Sequence, residues 1–392
     1  MSNPIVQNSL ANLGFRIFFL SAAAFSVVSI AAWMAVYFYG LELSITSLSI
    51  TQWHAHEMIY GYCFAVIAGF VLTAVSNWTG LKGLHGKPLI ALFCLWLIPR
   101  ILFLTGGELL LFAMVSDALF AVGVIYAITL PIVKSKQWKQ LIIVSKLAVL
   151  LMCNLIFYAG LYGQYDDGIM IGIYGGLYLV IGLILTIGRR VLPFFISKGV
   201  DKVVVIPNNK WLDLSALLIF IAFYVTEVFL DYPLIAACFA LALSLIHSAR
   251  LILWHTIGLW KKSLLWSIYL GFWFISLGFA LLAAARLWGL NEFLAIHAFT
   301  FGGIGVITIG MMSRVALGHT GRGISNPSPA LSYAFLCLLL GAVIRVIFPL
   351  FASQYYTLWI GLSLIMWLIS FCIFVFIYAP ILFRQRIDGR DG

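Results

Sequence analysis

Charge is what this sequence has least of. Only 9% of its 392 residues are Asp, Glu, Lys or Arg, whereas soluble domains carry roughly 25%. A water-facing surface cannot be built from so little, and no stretch between the apolar runs is long enough for a soluble domain. Cysteine is sparse too. Cys63, Cys94, Cys153, Cys238, Cys337 and Cys372 stand singly in apolar stretches without a CxxC pair. That excludes a disulfide framework and a thiolate zinc site and leaves small apolar packing residues. The start of the chain lacks the charged segment and small-residue cleavage site of a signal peptide, so the first apolar run is expected to span and stay. The net charge of +10 is spread over short loops, which argues against a nucleic-acid partner and for a lipid bilayer. Histidine occurs only seven times, so each one is informative.

What is abundant is apolar. Hydrophobic residues make up 64% of the chain and the mean hydropathy is +1.09. A membrane-crossing helix needs about 20 such residues. Twelve stretches meet this: 15–40, 54–76, 88–105, 108–132, 138–163, 168–188, 211–230, 232–256, 264–288, 293–317, 329–350 and 355–382. The expected fold is all-α and polytopic, a single integral membrane domain over residues 1–392 with about twelve transmembrane helices. Turn-forming residues separate them, among them Thr105-Gly106-Gly107, Asp231-Tyr232-Pro233 and Asn326-Pro327-Ser328-Pro329.

Lys and Arg fall in alternate loops: Lys82 and Lys87; Lys134, Lys136 and Lys139; Arg189, Arg190, Lys198, Lys202 and Lys210; Lys261 and Lys262; Arg314 and Arg322; then Arg384, Arg386 and Arg390. The other loops are neutral or acidic, with Glu42, Glu108, Asp166-Asp167, Asp231 and Glu292. The positive-inside rule then puts both termini in the cytoplasm. A faint internal echo also exists. Gly69 to Thr73, Gly182 to Thr186 and Thr308 to Gly310 lie near the inner ends of the second, sixth and tenth helices. Three four-helix units would explain it, as would the general abundance of Gly and Thr in membrane helices.

The densest chemistry is Trp53-His54-Ala55-His56-Glu57, at the outer mouth of the second helix. Ionisable groups in a membrane are costly and mark function by default. In a helix, residues two apart point about 200° away from each other. His54 and His56 would then face different neighbours, unless the end is unwound and both chelate one copper. Glu57 would orient an imidazole or move protons, with Asp117 as a second proton-handling carboxylate. A plain interfacial cap is the alternative. His297, at the same depth on the tenth helix and followed by Gly302, Gly303 and Gly305, suits a haem wedged between helices, or simply close helix packing. Arg100, Arg286 and Arg345 would pair with haem propionates or with acids. Arg314, His319 and Arg322 gather at the inner face, for a propionate, a lipid phosphate or a positive cap. His247 and His255 share a face of the eighth helix as an inner polar patch.

The segments His54-Ala-His56-Glu57-Met-Ile-Tyr-Gly61, Gly69-Phe-Val-Leu-Thr-Ala, Asn77-Trp-Thr-Gly80, Gly188-Arg-Arg-Val-Leu-Pro193-Phe-Phe195, His297-Ala-Phe-Thr-Phe-Gly302 and Arg314-Val-Ala-Leu-Gly-His319-Thr-Gly-Arg322 resemble the NnrS family of bacterial inner-membrane proteins. The resemblance implies twelve spans, haem and copper as cofactors, and a part in the response to nitric oxide. For such cofactors His54, His56 and His297, singled out above by their placement, are the expected metal ligands. Where the family pattern has a histidine in the ninth helix, Tyr269 stands here, which unsettles any fixed ligand count. At the level of fold the chain is also similar to the haem–copper oxidase catalytic subunit, whose twelve helices form three groups of four. The sixth and seventh helices here hold no histidine, so that enzyme's binuclear centre is not expected in the same form. Three functions remain open from the sequence, one of them a scaffold with no cofactor. Another is a haem- and copper-binding protein protecting against nitric oxide, with turnover resembling a nitric oxide reductase as an open question and no electron donor readable. The third is a metal-ion or small-solute transporter or receptor built on the His-x-His-Glu cluster.

Overall fold

The computed structural model describes residues 9–42, 48–104, 109–201, 204–230 and 232–389. The expected turn at Thr105-Gly106-Gly107, with Glu108, Lys202, Asp231 and Arg390, lies outside the described residues. The described chain is built from helices, and no strand occurs among the described residues. Twelve long helices follow in order: α1 (Gly14–Tyr39), α2 (Ile50–Thr79), α3 (Lys87–Leu102), α4 (Leu110–Lys134), α5 (Leu141–Leu161), α6 (Gly168–Gly199), α7 (Lys210–Val228), α8 (Pro233–Trp254), α9 (Ser263–Trp288), α10 (Glu292–His319), α11 (Pro329–Val346) and α12 (Tyr356–Phe383). Eleven are long and apolar enough to cross a membrane. With 16 residues, α3 reaches only about 24 Å at 1.5 Å per residue, short of a hydrocarbon core of about 30 Å. The protein is an all-α, multi-pass membrane protein.

Local chemistry moves some expected boundaries. α2 starts four residues before the expected 54, because Ser49 and Gln52 form a capping box: the Ser49 hydroxyl accepts from the Gln52 amide at 3.2 Å and Gln52 Oε1 accepts from the Ser49 amide at 2.9 Å. α6 runs on to Gly199, not 188, and carries Pro193 inside it. α8 ends at Trp254, and His255 follows in extended backbone. His247 and His255 therefore do not share a helix face. The expected patch is divided: His247 is buried against Arg250, and His255 accepts from Trp260 Nε1 at 3.0 Å.

The helices fall into two compact units. The first takes the chain through Leu179 together with 315–322 and the chain from Val375. There α1 packs on α2, α2 on α4, α3 on α4, and α4 on α5. The N-terminal amide of α1 at Phe15 donates to Thr73 Oγ1 at 2.9 Å. Arg16, fully buried, caps the last turn of α12 by donating to the carbonyls of Leu382 (2.8 Å) and Arg384 (2.7 Å). The second unit holds Val180–Arg314 and Gly323–Phe374, where α7 packs on α8, α8 on α9, and α10 on both α9 and α11.

α2 and α10 share a construction. In each, the α-helix ends at a histidine and turns into a π-helix: Glu57–Cys63 after His56, and Ala298–Gly305 after His297. Such segments are rare and concentrate at functional sites. His56, Gly61, Gly69, Thr79 and Gly80 have counterparts 241 positions later in His297, Gly302, Gly310, Thr320 and Gly321. Gly80 and Gly321 adopt the same left-handed conformation, with φ of 69° and 75°, and Thr79 and Thr320 both bond back to the carbonyl four residues before. α6 carries neither a histidine nor a π segment. The histidine and π segment thus join α2 to α10 alone, whereas the Gly–Thr echo recurs in α6, where Thr186 bonds back to the Gly182 carbonyl at 2.7 Å as Thr73 does to Gly69.

Candidate functional site

The first unit encloses a polar cluster in an apolar shell. His56, Glu57, Asp117, Arg100, Asn154 and Tyr158 are each at most 4% exposed. His56 Nδ1 lies 3.0 Å from Glu57 Oε1, and Nε2 lies 3.0 Å from Asn154 Oδ1 and 3.9 Å from Asp117 Oδ2. Arg100 Nη2 donates to both Asp117 oxygens, at 2.9 and 3.0 Å. Its Nε sits 2.9 Å from Glu57 Oε2, yet neither atom completes a hydrogen bond. That contact is an ion pair without alignment. Tyr158 donates to Asp117 Oδ2 at 2.8 Å. Four elements supply the groups: α2, α3, α4 and α5.

The π segment makes room for the cluster. A π-helix widens the turn and leaves carbonyls off the α ladder; the Gly61 carbonyl accepts from Trp96 Nε1 at 2.9 Å. A side chain at Gly61 would put its Cβ 3.0 Å from Arg100 Nη1 and 2.7 Å from Phe25. The glycine is what lets the guanidinium lie against α2. The imidazole of His56 stacks on Phe157, with centroids 4.4 Å apart, and Phe103 and Tyr60 close the shell at 5.0 and 4.9 Å. Two carboxylates face one guanidinium here, so the cluster is neutral only when it holds one further proton. This brings together Glu57, Asp117 and Arg100, and adds Asn154 and Tyr158, which sequence reasoning missed. Both sit on α5 among apolar residues, and only their polarity within a span marks them.

His54 is elsewhere. Its ring packs on Trp33 of α1, with centroids 5.3 Å apart, and it is half-buried. His54 and His56 thus do not chelate one ion. Both ring nitrogens of His56 are engaged inside the buried cluster. Among the described residues, no three His, Cys, Asp or Glu side chains converge as a metal-ligand set.

In the second unit, His297 is half-exposed and its Nδ1 lies 2.7 Å from the Phe293 carbonyl, so that nitrogen carries the proton and donates. Nε2 is then the acceptor and faces Arg345 Nη2 at 3.3 Å. Arg345 Nη1 donates to the Tyr356 hydroxyl at 3.0 Å. The glycines after His297 do not offer a bare face to a macrocycle. A Cβ at Gly302 would run into Phe274, one at Gly303 would meet Ile275 at 2.7 Å, and one at Gly305 would meet Trp367 at 2.6 Å. On that face α9 and α12 pack closely against the glycines.

The other expected residues have protein partners. Arg286 is bound by Glu227 at 2.6 Å and Glu292 at 2.9 Å, the acid pairing that was the alternative to a propionate. Arg314 lies over the Phe195 ring at 3.9 Å. In the first unit, His319 packs against Phe15 at 5.6 Å, and its carbonyl accepts from Arg386 at 3.0 Å. Arg322 reaches only the Thr320 carbonyl, at 3.4 Å, and burial together with Arg384 lowers its pKa. The phenol of Tyr269 donates to the Leu251 carbonyl at 2.9 Å, which ties it to α8.

The family model described as NnrS protein matches residues 9–386, nearly the whole chain. No curated protein matches it.

Proposed function

The chain belongs to the NnrS family, and from that premise we propose that it binds haem in the bacterial inner membrane, with both termini cytoplasmic, and handles nitric oxide. The observation that carries this is His297. Its Nδ1–H is held by a backbone carbonyl at 2.7 Å, the arrangement that fixes the tautomer of ligating histidines. Nε2 keeps its lone pair, which faces Arg345 Nη2 at 3.3 Å, on a half-exposed ring beside a π segment. His297 would hold haem iron, which supplies a coordination position for nitric oxide when bound. Nitric oxide is uncharged and reaches such a position through the bilayer without a polar channel.

Copper, the family's second implied metal, finds no comparable donor set. His54 and His56 face different helices, and no ligand group of three converges among the described residues.

Proton handling falls to the buried cluster. Asp117 Oδ2 stands between the Tyr158 hydroxyl at 2.8 Å and His56 Nε2 at 3.9 Å. His56 Nδ1 faces Glu57 at 3.0 Å, so a proton can be held at either end of the imidazole. The competing transporter or receptor reading needs a site that solute can enter. Glu57 and Asp117 already bind Arg100, and the histidine is fully buried.

A reduced-minus-oxidised spectrum of the purified protein tests the haem reading. A Soret band is expected in the wild type and in His56→Ala, with loss of the band in His297→Ala at retained helicity. Absence of haem in the wild type, or an unchanged spectrum in His297→Ala, overturns it.

A further inference from the structure

The repeat relating α2 to α10 exposes a difference between the two units. In each, an arginine from the next helix reaches the segment around the histidine and also touches the helix after its own. In the first unit this is Arg100 of α3, which meets Glu57 of α2 and Asp117 of α4, both carboxylates. In the second it is Arg345 of α11, which meets His297 of α10 and Tyr356 of α12. At the place of Glu57 the repeat has Ala298. No carboxylate among the described residues forms an ion pair with Arg345. Two acids of that unit, Glu227 and Glu292, are both bound by Arg286.

Arg345 is only 6% exposed. Its two hydrogen-bond partners accept protons but carry no countercharge, and the Tyr356 ring adds only its face, 5.1 Å from Cζ. A buried guanidinium without an anion is among the costliest arrangements in a membrane protein. We propose that Arg345 with Tyr356, beside His297, binds a small planar oxyanion of carboxylate type through their donors, which fills in the second unit the place that Glu57 and Asp117 fill in the first. The planar fork of a guanidinium matches such a group through two parallel bonds, and the Tyr356 hydroxyl can donate its own proton to the same oxyanion. His297 and Tyr356 are both half-exposed, which gives the anion a way in that the sealed first cluster lacks. Arg345 has the same need with or without haem on His297. The oxyanion comes either free from solution or as an acid arm of a bound cofactor.

The test uses the full-length protein in detergent, in a zwitterionic buffer free of small anions. The unfolding midpoint is followed while sodium formate is added, with a bulky sulfonate at equal ionic strength as control. A bound anion stabilises the folded state in a saturable way. Formate is expected to raise the midpoint where the sulfonate does not, and Arg345→Gln should bind formate roughly 30-fold or more weakly, as for loss of a buried charge pair. Tyr356→Glu supplies an internal carboxylate at the same guanidinium. It should melt no lower than the wild type without formate and should no longer respond to it. A response in haem-free and haem-loaded protein alike identifies a free anion, whereas a response confined to haem-free protein identifies the acid arm of haem. No saturable response in the wild type, or equal responses in wild type and Arg345→Gln, overturns the proposal. Should Arg345→Gln not fold, a response undiminished in Tyr356→Glu overturns it by itself.

Discussion

Asp117→Asn is the sharpest test of the buried cluster. The aspartate accepts two bonds from Arg100 at 2.9 and 3.0 Å and one from Tyr158 at 2.8 Å, in a site where it is 2% exposed. The amide keeps the shape but removes the charge, and in either orientation turns an NH2 toward Arg100, which bonds both carboxylate oxygens and can only donate. Arg100 retains Glu57, but only through a contact that is not aligned as a hydrogen bond. Breaking a buried pair by removing one partner costs about 3–5 kcal/mol. Because one carboxylate remains, the lower end, about 3 kcal/mol, is the expected loss. The assay is unfolding by SDS from mixed micelles, followed by far-UV circular dichroism. The double variant Asp117→Asn with Arg100→Gln should lose less than the two single losses together, by roughly 0.5–3 kcal/mol. A single-variant loss within about 0.5 kcal/mol of zero, the scale of an ordinary surface substitution, refutes the account of the cluster. Strict additivity in the double variant refutes the pairing of Arg100 with Asp117.

Three further outcomes follow from the same packing. Gly61→Ala places a Cβ 3.0 Å from Arg100 Nη1 and 2.7 Å from Phe25, and should destabilise by about 1–3 kcal/mol in the SDS titration, as overpacking does. Thr73→Val leaves the buried Phe15 amide without the acceptor it now has at 2.9 Å, and should cost about 1–3 kcal/mol together with faster hydrogen exchange at the start of α1. Arg16→Met removes the donor to the carbonyls of Leu382 and Arg384, so protease cleavage after Arg384 and Arg386 should accelerate while helicity stays at the wild-type level.

The spans were legible because length and hydropathy set them, and bilayer thickness leaves little freedom. The limits of single helices were less so. Ser49 and Gln52 mark the start of α2 by a recognised cap, but the mark lies ahead of the apolar run that drew the eye to residue 54. Pro193 reads as a stop and instead lies within α6. Of the candidate site, Glu57, Arg100 and Asp117 were legible as charges inside a membrane, whereas their convergence was not. It depends on Asn154 and Tyr158, which α5 brings in from a long sequence distance. The fate of the glycines after His297 was also hidden, because a bare helix face and one filled by Phe274 or Trp367 have the same sequence. The repeat was readable by comparing the chain with itself at an offset of 241. The Gly and Thr echo blurred it by drawing in α6.

The π segments carry a consequence for how this chain tolerates insertion and deletion. A π turn amounts to one residue more than an α-helix would use, and one residue is about 100° of rotation. Deleting Met58 would let α2 close into a regular helix, and Gly69 and Thr73, now turned to Phe19 and Phe15 of α1, would swing more than a quarter-turn away. The loss of one residue there is therefore expected to do more damage than most substitutions in the same stretch. A relative in which either helix is straight would align with this chain only through a single-residue gap just after the histidine.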